Sequence, residues 1–541
     1  MARYNNYHKH DGISSIFGMP DSATSQEEYV KRCVELGHTN YFTTNHGSFG
    51  DIFEAKTLCD KYGIRCIAGI EGYIVPNPYE KDNSNYHIII IPKTDVARKK
   101  MNVISSRANI EGFYYKPRIF IEDLLNLDSN DIFITTACES GLLKDEISYA
   151  KLFFPLMKKF GGNMMLEVQN HNTQTQKAIN ERCLDLHKEY GLHIICANDS
   201  HYIDEKGKLQ RAELLRGKKI SYGDEDTYTL DFPDAETMFY RFKKQGVLSE
   251  DQIEQGIKNT LLFDCCEEIG IDKEIKMPNI YKKLTTKERV SLLKDKVKKN
   301  FSTIIKKENL TKEQIDERVK GLNEEMKVIE DTNEEIHTAD YFLFNERNTD
   351  LAVNKYGGVL TRGGRGSCGS YYTNKILGIT QIDRFTAPIP VYPDRFMSTA
   401  RLLENRAIPD IDFNVSSQEP FVKATRELLG EHGCYPMIAY GTMGESESFR
   451  NTCRAKGLVF DEYNEVGKDL ERYKDDEKWK PIIEEAMESV GVIVSASVHP
   501  CAFCLSDKNI LEEYGVVKIG GNICVMVTSS EADEYKILKN D

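Results

Sequence analysis

Short apolar runs alternate with amphipathic segments along the first 205 residues of the chain. Short runs rich in aliphatic and β-branched residues are typical of buried strands, and we predict strands at residues 40–44, 66–70, 87–91, 132–136, 164–168 and 193–197. The intervening segments 26–36, 52–61 and 174–190 carry apolar residues at helical spacing. This alternation predicts a parallel α/β domain with polar functional residues at its strand ends.

The later part of the chain is predicted to be mainly helical. Helical spacing is found at residues 234–244, 251–269, 287–335 and 420–491, and β-like runs return between residues 492 and 541. Pro278 lies between two of the helical regions and is predicted to mark a domain boundary. The whole pattern favours an α/β protein with several domains.

Length and composition add limits to this picture. A chain of 541 residues with 40% apolar residues is too long for one ordinary core, so about two to four domains are expected. The longest aliphatic run, residues 88–91, is far too short to cross a membrane, and no apolar signal segment follows the first residues. The fourteen cysteines lie mostly alone among apolar neighbours, which favours reduced thiols. We therefore expect a soluble cytoplasmic protein without a membrane partner.

The net charge of −14 argues against simple nonspecific binding to a polyanion, because affinity for DNA comes largely from lysine and arginine. Charge is unevenly distributed, however, and residues 273–307 are rich in lysine. We interpret this stretch as the solvated face of an amphipathic helix rather than as a direct DNA groove.

Two carboxylates near the end of the chain point to phosphoryl chemistry. Asp410 and Asp412 lie two residues apart in the strand-like segment 407–413, so both side chains face the same way. Such a pair can hold two divalent cations about 3.5–4 Å apart. Some forty residues earlier, the glycine-rich turn 363–367 offers backbone N–H groups that suit a triphosphate. Either feature alone is common in surface turns; together they predict nucleotidyl transfer.

A second set of candidate ligands lies in the first 205 residues. His8 and His10 share one face of an extended segment, and further candidates recur at predicted strand ends: His46, Glu71, His87, Cys138, Asp199 and His201. Each of these residues alone could be structural. Imidazole, thiolate and carboxylate together suit zinc, or manganese where oxygen ligands dominate.

The order of three segments, 357–367, 377–383 and 409–413, resembles the catalytic alpha subunit of bacterial DNA polymerase III, the C-family replicative polymerases. The resemblance implies that Gly366 and Ser367 bind the phosphates of an incoming nucleotide, with Arg365 nearby, and that Asp410 and Asp412 bind two Mg²⁺ ions. The segment 440–443 and the following Arg450 also resemble the family, which implies a further nucleotide contact.

The family has a third catalytic carboxylate in a Lys-x-Asp context, which Lys539 and Asp541 match here. Terminal residues fray, so we expect Asp541 to be poorly positioned by this chain alone. His499 resembles a family histidine before a palm strand and could be a packed polar residue or an active-site contact. The lone pair of Cys501 and Cys504 lacks further ligands, and we expect no zinc there.

The histidine-rich set resembles the polymerase and histidinol phosphatase (PHP) domain that opens these polymerases and that can support 3′–5′ exonuclease activity. The match is incomplete: Asn45 stands where the family has aspartate, and the aspartate expected near Phe17 is missing, with Asp11 and Asp21 out of register. Loss of two anionic ligands is expected to weaken at least one metal position.

The resemblance implies a fold and a domain division. We expect a PHP-type distorted (β/α)7 barrel at residues 1–277, a polymerase-beta-like nucleotidyltransferase palm at 278–420, a helical thumb at 421–491, and returning palm strands at 492–541. The fingers, helix-hairpin-helix and OB regions of the family are not matched. We expect the amino-terminal half of a polymerase, made as a separate product, a splicing fragment or a truncated form.

The expected function is therefore DNA-directed DNA polymerase activity in replication. The resemblance implies primer–template DNA and dNTPs as substrates, a carboxy-terminal polymerase half as partner and, through that half, a sliding clamp. The expected cofactors are Mg²⁺ in the palm and Zn²⁺ or Mn²⁺ in the PHP domain. Two alternatives stay open: a PHP domain acting alone as a nuclease or phosphoesterase, and a catalytically silent assembly half.

Overall fold

A computed structural model describes residues 3–17, 20–49, 51–222, 227–363 and 366–541. The chain forms two compact units. Unit 1 comprises Met1–Gly270, Ile438–Val498 and Tyr514–Met526, and unit 2 comprises Ile271–Met437, His499–Glu513 and Val527–Asp541.

The strands of the described residues are β1 (Asn40–Thr43), β2 (Arg65–Ala68), β3 (Ile70–Val75), β4 (Tyr86–Pro92), β5 (Phe113–Tyr114), β6 (Lys116–Phe120), β7 (Ile132–Thr135), β8 (Met164–Gln169), β9 (His193–Ala197), β10 (Cys434–Thr442), β11 (Ile493–Leu505), β12 (Val516–Ile519), β13 (Asn522–Val525) and β14 (Lys539–Asn540). The predicted strands in the first 205 residues match β1, β2, β4, β7, β8 and β9 to within two residues at each end.

The α-helices are α1 (Gln26–Glu35), α2 (Ile52–Tyr62), α3 (Asp95–Ile110), α4 (Ile121–Leu125), α5 (Glu146–Ser148), α6 (Phe154–Phe160), α7 (Gln174–Tyr190), α8 (Glu205–Lys218), α9 (Ala235–Gln245), α10 (Glu250–Asn259), α11 (Thr286–Glu308), α12 (Lys312–Ile336), α13 (Thr338–Asn354), α14 (Tyr372–Ile376), α15 (Thr399–Leu403), α16 (Glu419–Leu429), α17 (Glu445–Ala455), α18 (Phe460–Tyr463), α19 (Leu470–Tyr473), α20 (Lys480–Met487), α21 (Ile510–Glu513) and α22 (Ser529–Glu534). Helical turns of 3-10 type include Gly12–Phe17 and Cys368–Ser370.

Unit 1 contains a seven-stranded sheet with the order β5-β6-β3-β4-β7-β8-β9. The pairs β3–β6, β7–β8 and β8–β9 are parallel, as the alternating pattern predicts. The expectation of a purely parallel sheet is wrong at β4, which runs antiparallel to both β3 and β7, and at β5, which runs antiparallel to β6. The connections β3–β4 and β5–β6 contain no crossover helix, and only antiparallel strands can be joined in this way.

Isolated bridges extend the strand arrangement of unit 1 beyond the sheet. β1 and β2 form a parallel pair, Lys9 bridges Ser200 just after β9, and His46 bridges Glu71 at the start of β3. A core of buried side chains from several strands lies beneath, including Tyr7, Phe42 and Ile195. This arrangement brings the end of β1, the start of β3 and the end of β9 to one region, together with the segment 8–10.

The helical region predicted at residues 420–491 is divided between the units. α16 lies in unit 2, whereas α17 to α20 lie in unit 1. Within unit 1, α17 packs on α8: Thr452 donates a hydrogen bond to the Glu213 carboxylate, and the Arg454 side chain donates to the Gly217 carbonyl. The predicted boundary at residue 421 therefore does not coincide with the compact units, because this packing attaches α17 to unit 1.

Unit 2 is built around α11, α12 and α13. The predicted helix over 287–335 is two helices, since Asn309 ends α11 in the left-handed conformation (φ 51°) and Thr311 caps α12. The buried carboxylate of Glu325 on α12 accepts hydrogen bonds from the backbone N–H groups of Tyr372 and Thr373 at the start of α14. These hydrogen bonds attach the start of α14, which follows the glycine-rich turn in sequence, to α12.

Among the described residues, no helix is long and apolar enough to cross a membrane. All fourteen cysteines are free thiols, as the sequence predicts.

Candidate functional site

Unit 1 holds a cluster of nine side chains whose ligand atoms form overlapping groups suited to metal ions. Within each group the ligand atoms lie within 4.8 Å of one another. The cluster contains all eight residues predicted from the sequence and one more: His8, His10, Asp21, His46, Glu71, His87, Cys138, Asp199 and His201. The ends of β1, β7 and β9, the start of β3 and the segment 8–10 supply most of these side chains.

Glu71 lies at the centre of the cluster and is 1% exposed. One of its oxygens, Oε2, lies 3.0 Å from His10 Nε2 and 2.9 Å from His46 Nδ1. The other, Oε1, lies 2.9 Å from His87 Nδ1. A buried carboxylate shared by three imidazoles can bridge neighbouring cations.

Asp199 and Cys138 border the cluster on two sides. Asp199 Oδ1 lies 3.2 Å from His8 Nε2 and 3.1 Å from His10 Nε2, and Cys138 Sγ lies 3.4 Å from His87 Nδ1. Asp199 (φ 53°) and Ala137 (φ 57°), next to Cys138, both adopt the left-handed backbone conformation. Non-glycine residues with positive φ are uncommon and cluster at functional sites, where the surrounding structure maintains them.

Asp21 is the candidate ligand that sequence reasoning missed. Its Oδ2 lies 3.3 Å from His201 Nε2 and 3.7 Å from His46 Nε2. The expectation that the carboxylate after the His-x-His pair is absent is therefore corrected. The 3-10 turn Gly12–Phe17 occupies the expected position, and the carboxylate that reaches the cluster is that of residue 21 instead of one near residue 17. The only sign of this role in the sequence is that Asp21 lies close to the position where the family has an aspartate.

Asn45 and Asp11 have structural contacts instead of places in the nine-residue cluster. Asp11 forms a buried ion pair with Lys9, with 2.6 Å between Oδ2 and Nζ. Asn45 Oδ1 accepts hydrogen bonds from the Asp11 N–H and the Ser14 hydroxyl, and Asn45 Nδ2 donates to Asp51. Replacement of an aspartate at position 45 therefore removes no side chain from the cluster described here.

Hydrogen bonds behind the ligands orient their rings. His8 Nδ1 lies 2.7 Å from Glu167 Oε1, and Tyr7, Thr135 and Gln169 also donate to the fully buried Glu167 carboxylate. His10 Nδ1 lies 2.9 Å from the Ser14 hydroxyl. A proton on Nδ1 of each ring leaves Nε2 free to coordinate, the usual role of such outer partners at metal sites.

Buried polar atoms without hydrogen-bond partners indicate that this donor set fits metal ions. Such atoms among the described residues include His8 Nε2, His10 Nε2, His46 Nδ1, Asp21 Oδ2, Glu71 Oε2 and Asp199 Oδ1. Unpaired buried polar atoms are costly, and cations coordinated by these atoms would satisfy them. All of them face other members of the cluster.

Burial and neighbouring charges shift the pKa values of the cluster residues in different directions. Burial alone would lower the pKa of His10, but Glu71 and Asp199 raise it to about 9. Burial and the charge on His10 lower the pKa of His46 to about 4. Burial would raise the pKa of Glu71, yet His87, His46 and His10 hold it well below its usual range. Strongly perturbed groups in a pocket mark a functional-site candidate.

Unit 2 brings the three predicted polymerase carboxylates together. Ile411 bridges Asn540 in parallel register, the Asp541 N–H donates to the Ile411 carbonyl, and the Phe413 N–H donates to the Asp541 carbonyl. This register pairs Asp541 with Asp412 and Lys539 with Asp410 on adjacent extended segments. Both ends of the Asp541 backbone are thus hydrogen-bonded, contrary to the expectation of a frayed residue.

The glycine-rich turn lies beside the carboxylates. Residues 359–361 run antiparallel to 414–416, with Leu360 bridging Val415 and the Thr361 N–H donating to the Asn414 carbonyl. At Gly366 (φ 58°), a Cβ atom would lie 1.6 Å from Asp412 Oδ2. Only glycine allows this approach of the turn to the carboxylate. Ser367 follows Gly366 at the start of the 3-10 turn.

Charges around Asp410 affect its protonation. Burial raises the pKa of Asp410 to about 6; Lys539, whose Nζ lies 3.7 Å from Asp410 Oδ2, opposes this, and Asp533, Asp541 and Asp412 add to it. Helix α13 supports the same segment, since the Tyr341 hydroxyl donates to the Pro409 carbonyl and Asn540 Nδ2 donates to Asn345. Asp541 Oδ1 is buried with no hydrogen-bond partner among the described residues, as expected of a cation ligand.

The side chains of His499, Cys501 and Asp541 lie together, with ligand atoms within 4.8 Å of one another. His499 Nδ1 accepts hydrogen bonds from the backbone N–H groups of Cys501 and Ala502. This use of Nδ1 leaves the proton on Nε2, which disfavours coordination by the ring. Cys504 is fully buried and belongs to no ligand group among the described residues.

Two predicted nucleotide contacts remain predictions. Arg365 lies outside the described residues. Arg450 lies on α17 in unit 1, whereas the carboxylates lie in unit 2; its side chain packs beside Gly467, and its Nε is buried without a hydrogen-bond partner among the described residues.

Comparisons with known proteins match two regions of the chain. Residues 7–171 match the PHP domain, and residues 291–541 match the domain described as bacterial DNA polymerase III alpha NTPase domain. By these matches the chain carries a PHP domain followed by a bacterial DNA polymerase III alpha domain. Over most of its length it is similar to bacterial DNA polymerase III alpha subunits.

The relatives support this assignment at low identity. The chain is 24% identical to the DNA polymerase III subunit alpha of Borreliella burgdorferi, over 98% of this chain and 48% of that protein. It is 25% identical to that of Aquifex aeolicus, over 89% of this chain and 43% of that protein. It is 22% identical to a DNA-directed DNA polymerase of Bacillus phage SPbeta, over 83% of this chain and 39% of that protein. The chain therefore spans about half the length of these relatives or less.

Proposed function

We propose that this chain carries the catalytic palm of a DNA-directed DNA polymerase. The observation that supports this most is the register that aligns Asp410, Asp412 and Asp541, with Gly366 packed against Asp412. In the reaction, the primer 3′-oxygen attacks the α-phosphorus of a dNTP, the bond to the β-phosphate breaks, and pyrophosphate leaves. Mg²⁺ bound by the carboxylates would lower the pKa of the 3′-hydroxyl and stabilise the leaving group.

The residues of unit 2 have separate roles under this proposal: cation binding, charge balance and triphosphate binding. Asp410, Asp412 and Asp541 would hold the cations, and the backbone around Gly366 and Ser367 would bind the triphosphate. Lys539 balances the negative charge beside Asp410. Rigid positioning is most of what such an active site contributes, since the transferring group itself carries the charge. Primer–template DNA and dNTPs are the substrates under this proposal.

Primer extension tests the proposal. We expect extension by this chain together with a separately produced polypeptide that covers the rest of the relatives' length, and its loss in Asp410→Ala. The metal content of unit 1 should be unchanged in that variant. Extension that survives Asp410→Ala would contradict the proposal. The same assay with the chain alone shows whether the added polypeptide is needed.

We propose a second function for unit 1, a metal-dependent phosphoesterase that acts as a 3′–5′ exonuclease on single-stranded DNA. The complete set of nine clustered side chains favours it, because the return of Asp21 restores an anionic ligand. Zn²⁺ or Mn²⁺ suits the mixture of imidazole, carboxylate and thiol. Metal analysis and degradation of labelled single-stranded DNA test it, with His10→Ala as the inactive variant.

The strand bridges and helices of the two units also support a finer assignment of the fold. We propose that the parallel bridges Lys9–Ser200 and His46–Glu71 belong to a distorted barrel of PHP type, and that residues 278–420 and 492–541 contain a palm with helices of a thumb between them. A silent assembly role is the remaining alternative, and the absence of both activities in the two assays would favour it.

A further inference from the structure

The pocket over the metal cluster is lined by further polar side chains outside the nine candidate ligands, and two of them, Lys116 and His171, are suited to bind an anion. This cavity, of about 550 Å³, is lined by members of the cluster and also by Lys116 and His171. Its size lies within the range of small-ligand pockets. Lys116 and His171 therefore share one pocket with the cluster.

Lys116 lines this pocket and has no carboxylate partner in the part of the chain that the structure describes. It begins β6, directly after the turn at Tyr115, and its Nζ lies 5.2 Å from the centre of the Tyr73 ring. Among the described residues, no carboxylate oxygen lies within 4.0 Å of this ammonium group. Burial lowers the pKa of Lys116, whereas Asp21 and Glu71 of the cluster raise it. A partly buried ammonium group that faces a pocket is suited to an anionic ligand.

His171 is held in place from behind and is 1% exposed. The Tyr228 ring meets it edge-on at 5.0 Å, and the Tyr228 hydroxyl donates to Glu139. Gln245 Nε2 donates to the His171 carbonyl at 2.6 Å. His171 Nδ1 is buried without a hydrogen-bond partner in the described part of the chain. A rigidly held imidazole with an unsatisfied polar atom at a pocket wall points to an absent ligand.

We propose that Lys116 and His171 form a phosphate-binding subsite beside the cluster, which holds the phosphate ester of a nucleotide during hydrolysis. The proposal rests on the phosphoesterase function proposed for unit 1 and identifies its substrate-binding groups. Lys116 contacts a non-bridging phosphate oxygen, and the His171 ring hydrogen-bonds the same ester group. Cations held by the cluster would attract the phosphate from one side, and Lys116 and His171 fix it from the other.

The test uses the full chain loaded with Mn²⁺ and two probes, inorganic phosphate and thymidine 5′-monophosphate. Calorimetric titration gives the affinity of each probe for the unsubstituted chain, Lys116→Met and His171→Gln. The matched control is Lys81→Met, which removes an exposed lysine elsewhere in unit 1. Metal content is measured for every variant.

We expect Lys116→Met and His171→Gln each to weaken both probes by about 10- to 100-fold, as for loss of a hydrogen bond to a charged group. Bound metal should be unchanged, and Lys81→Met should bind as the unsubstituted chain does. Loss of metal in Lys116→Met or His171→Gln, or unchanged probe affinity in both, would overturn the subsite. Weaker binding of thymidine 5′-monophosphate with unchanged binding of inorganic phosphate would also overturn the subsite, because the contact would then not be to phosphate.

Hydrolysis separates this proposal from the one on which it rests. If the unsubstituted chain binds phosphate through Lys116 but degrades no DNA, the exonuclease proposal fails while the subsite stands. If it degrades DNA and both variants keep their KM, the exonuclease stands and the subsite fails. A raised KM at nearly unchanged kcat is the expected result for groups that bind the phosphate in ground and transition states alike.

Discussion

The two candidate sites are positioned by different means. In unit 1, the ligands are buried and a further layer of side chains, such as Glu167 behind His8 and Ser14 behind His10, orients their rings. In unit 2, backbone register and one close glycine position the carboxylates, and the Asp410 side chain remains 40% exposed. The first arrangement depends on side-chain hydrogen bonds, whereas the second depends on the path of the backbone.

This difference has a physical reason in the ligands. Imidazole must present one particular nitrogen, so a site with five histidines in its ligand set needs partners that fix each tautomer. Carboxylates need only direction, which two extended segments in register provide. Substitutions of outer side chains should therefore affect unit 1, and substitutions that move the backbone should affect unit 2.

The largest effect is expected from Gly366→Ala. A methyl group there would lie 1.6 Å from Asp412 Oδ2, so the carboxylate or the turn must move. We expect primer extension to fall by about 10²–10³-fold, since displacement by about 1 Å is enough for such losses. Gly378→Ala is the matched control: its φ of 76° is equally unusual, but the added atom meets nothing within 4 Å. Equal activity losses in both variants would show that backbone strain, not the contact with Asp412, is responsible.

The next effect concerns Asp21. We expect Asp21→Ala to remove a metal ion from unit 1, because its carboxylate lies between His46 and His201. The variant and the unsubstituted chain are dialysed against buffer that contains a trace concentration of the metal. The metal content of the variant should then be lower than that of the unsubstituted chain. Asn45→Asp provides the contrast: it should leave metal content unchanged and lower stability, since the new charge would lie beside Asp51 and Asp11. Increased metal content in Asn45→Asp would refute this division of roles.

A smaller effect is expected from Glu167→Gln. The amide keeps the size of the side chain but loses the charge that holds His8 Nδ1–H, so metal affinity should fall by about 10- to 100-fold. Competition with a chromogenic chelator measures the affinity. Nuclear magnetic resonance of the His8 ring reports its tautomer, which should change in the same variant. A weaker metal site with an unchanged tautomer would point to a general loss of packing.

Much of the fold and of both sites follows from sequence patterns, and the exceptions share a cause. The strand at 193–197 and the helix at 174–190 are found with the predicted bounds, because their apolar spacing is regular. The antiparallel direction of β4 depends on the path of the loop after β3, and loop paths leave little trace in local composition. The place of Asp21 depends on contacts with His46 and His201, which are distant in sequence. The attachment of α17 to unit 1 depends likewise on distant contacts with Glu213 and Gly217.

The smallest expected effect concerns the pH dependence of stability at Asp410. Its folded pKa is raised to about 6, above the value of about 3.9 expected in an unfolded chain. Above pH 6 the folded protein therefore carries a charge that its surroundings disfavour, and this cost disappears as pH falls through the interval from about 6 to 4. Asp410→Asn, which is neutral throughout, should raise Tm at pH 8 without Mg²⁺ and have little effect at pH 4. When Mg²⁺ is added at pH 8, the unsubstituted chain should have the higher Tm of the two proteins, because only the aspartate binds the cation. A Tm difference that stays constant with pH would show that carboxylate ionisation is not the cause.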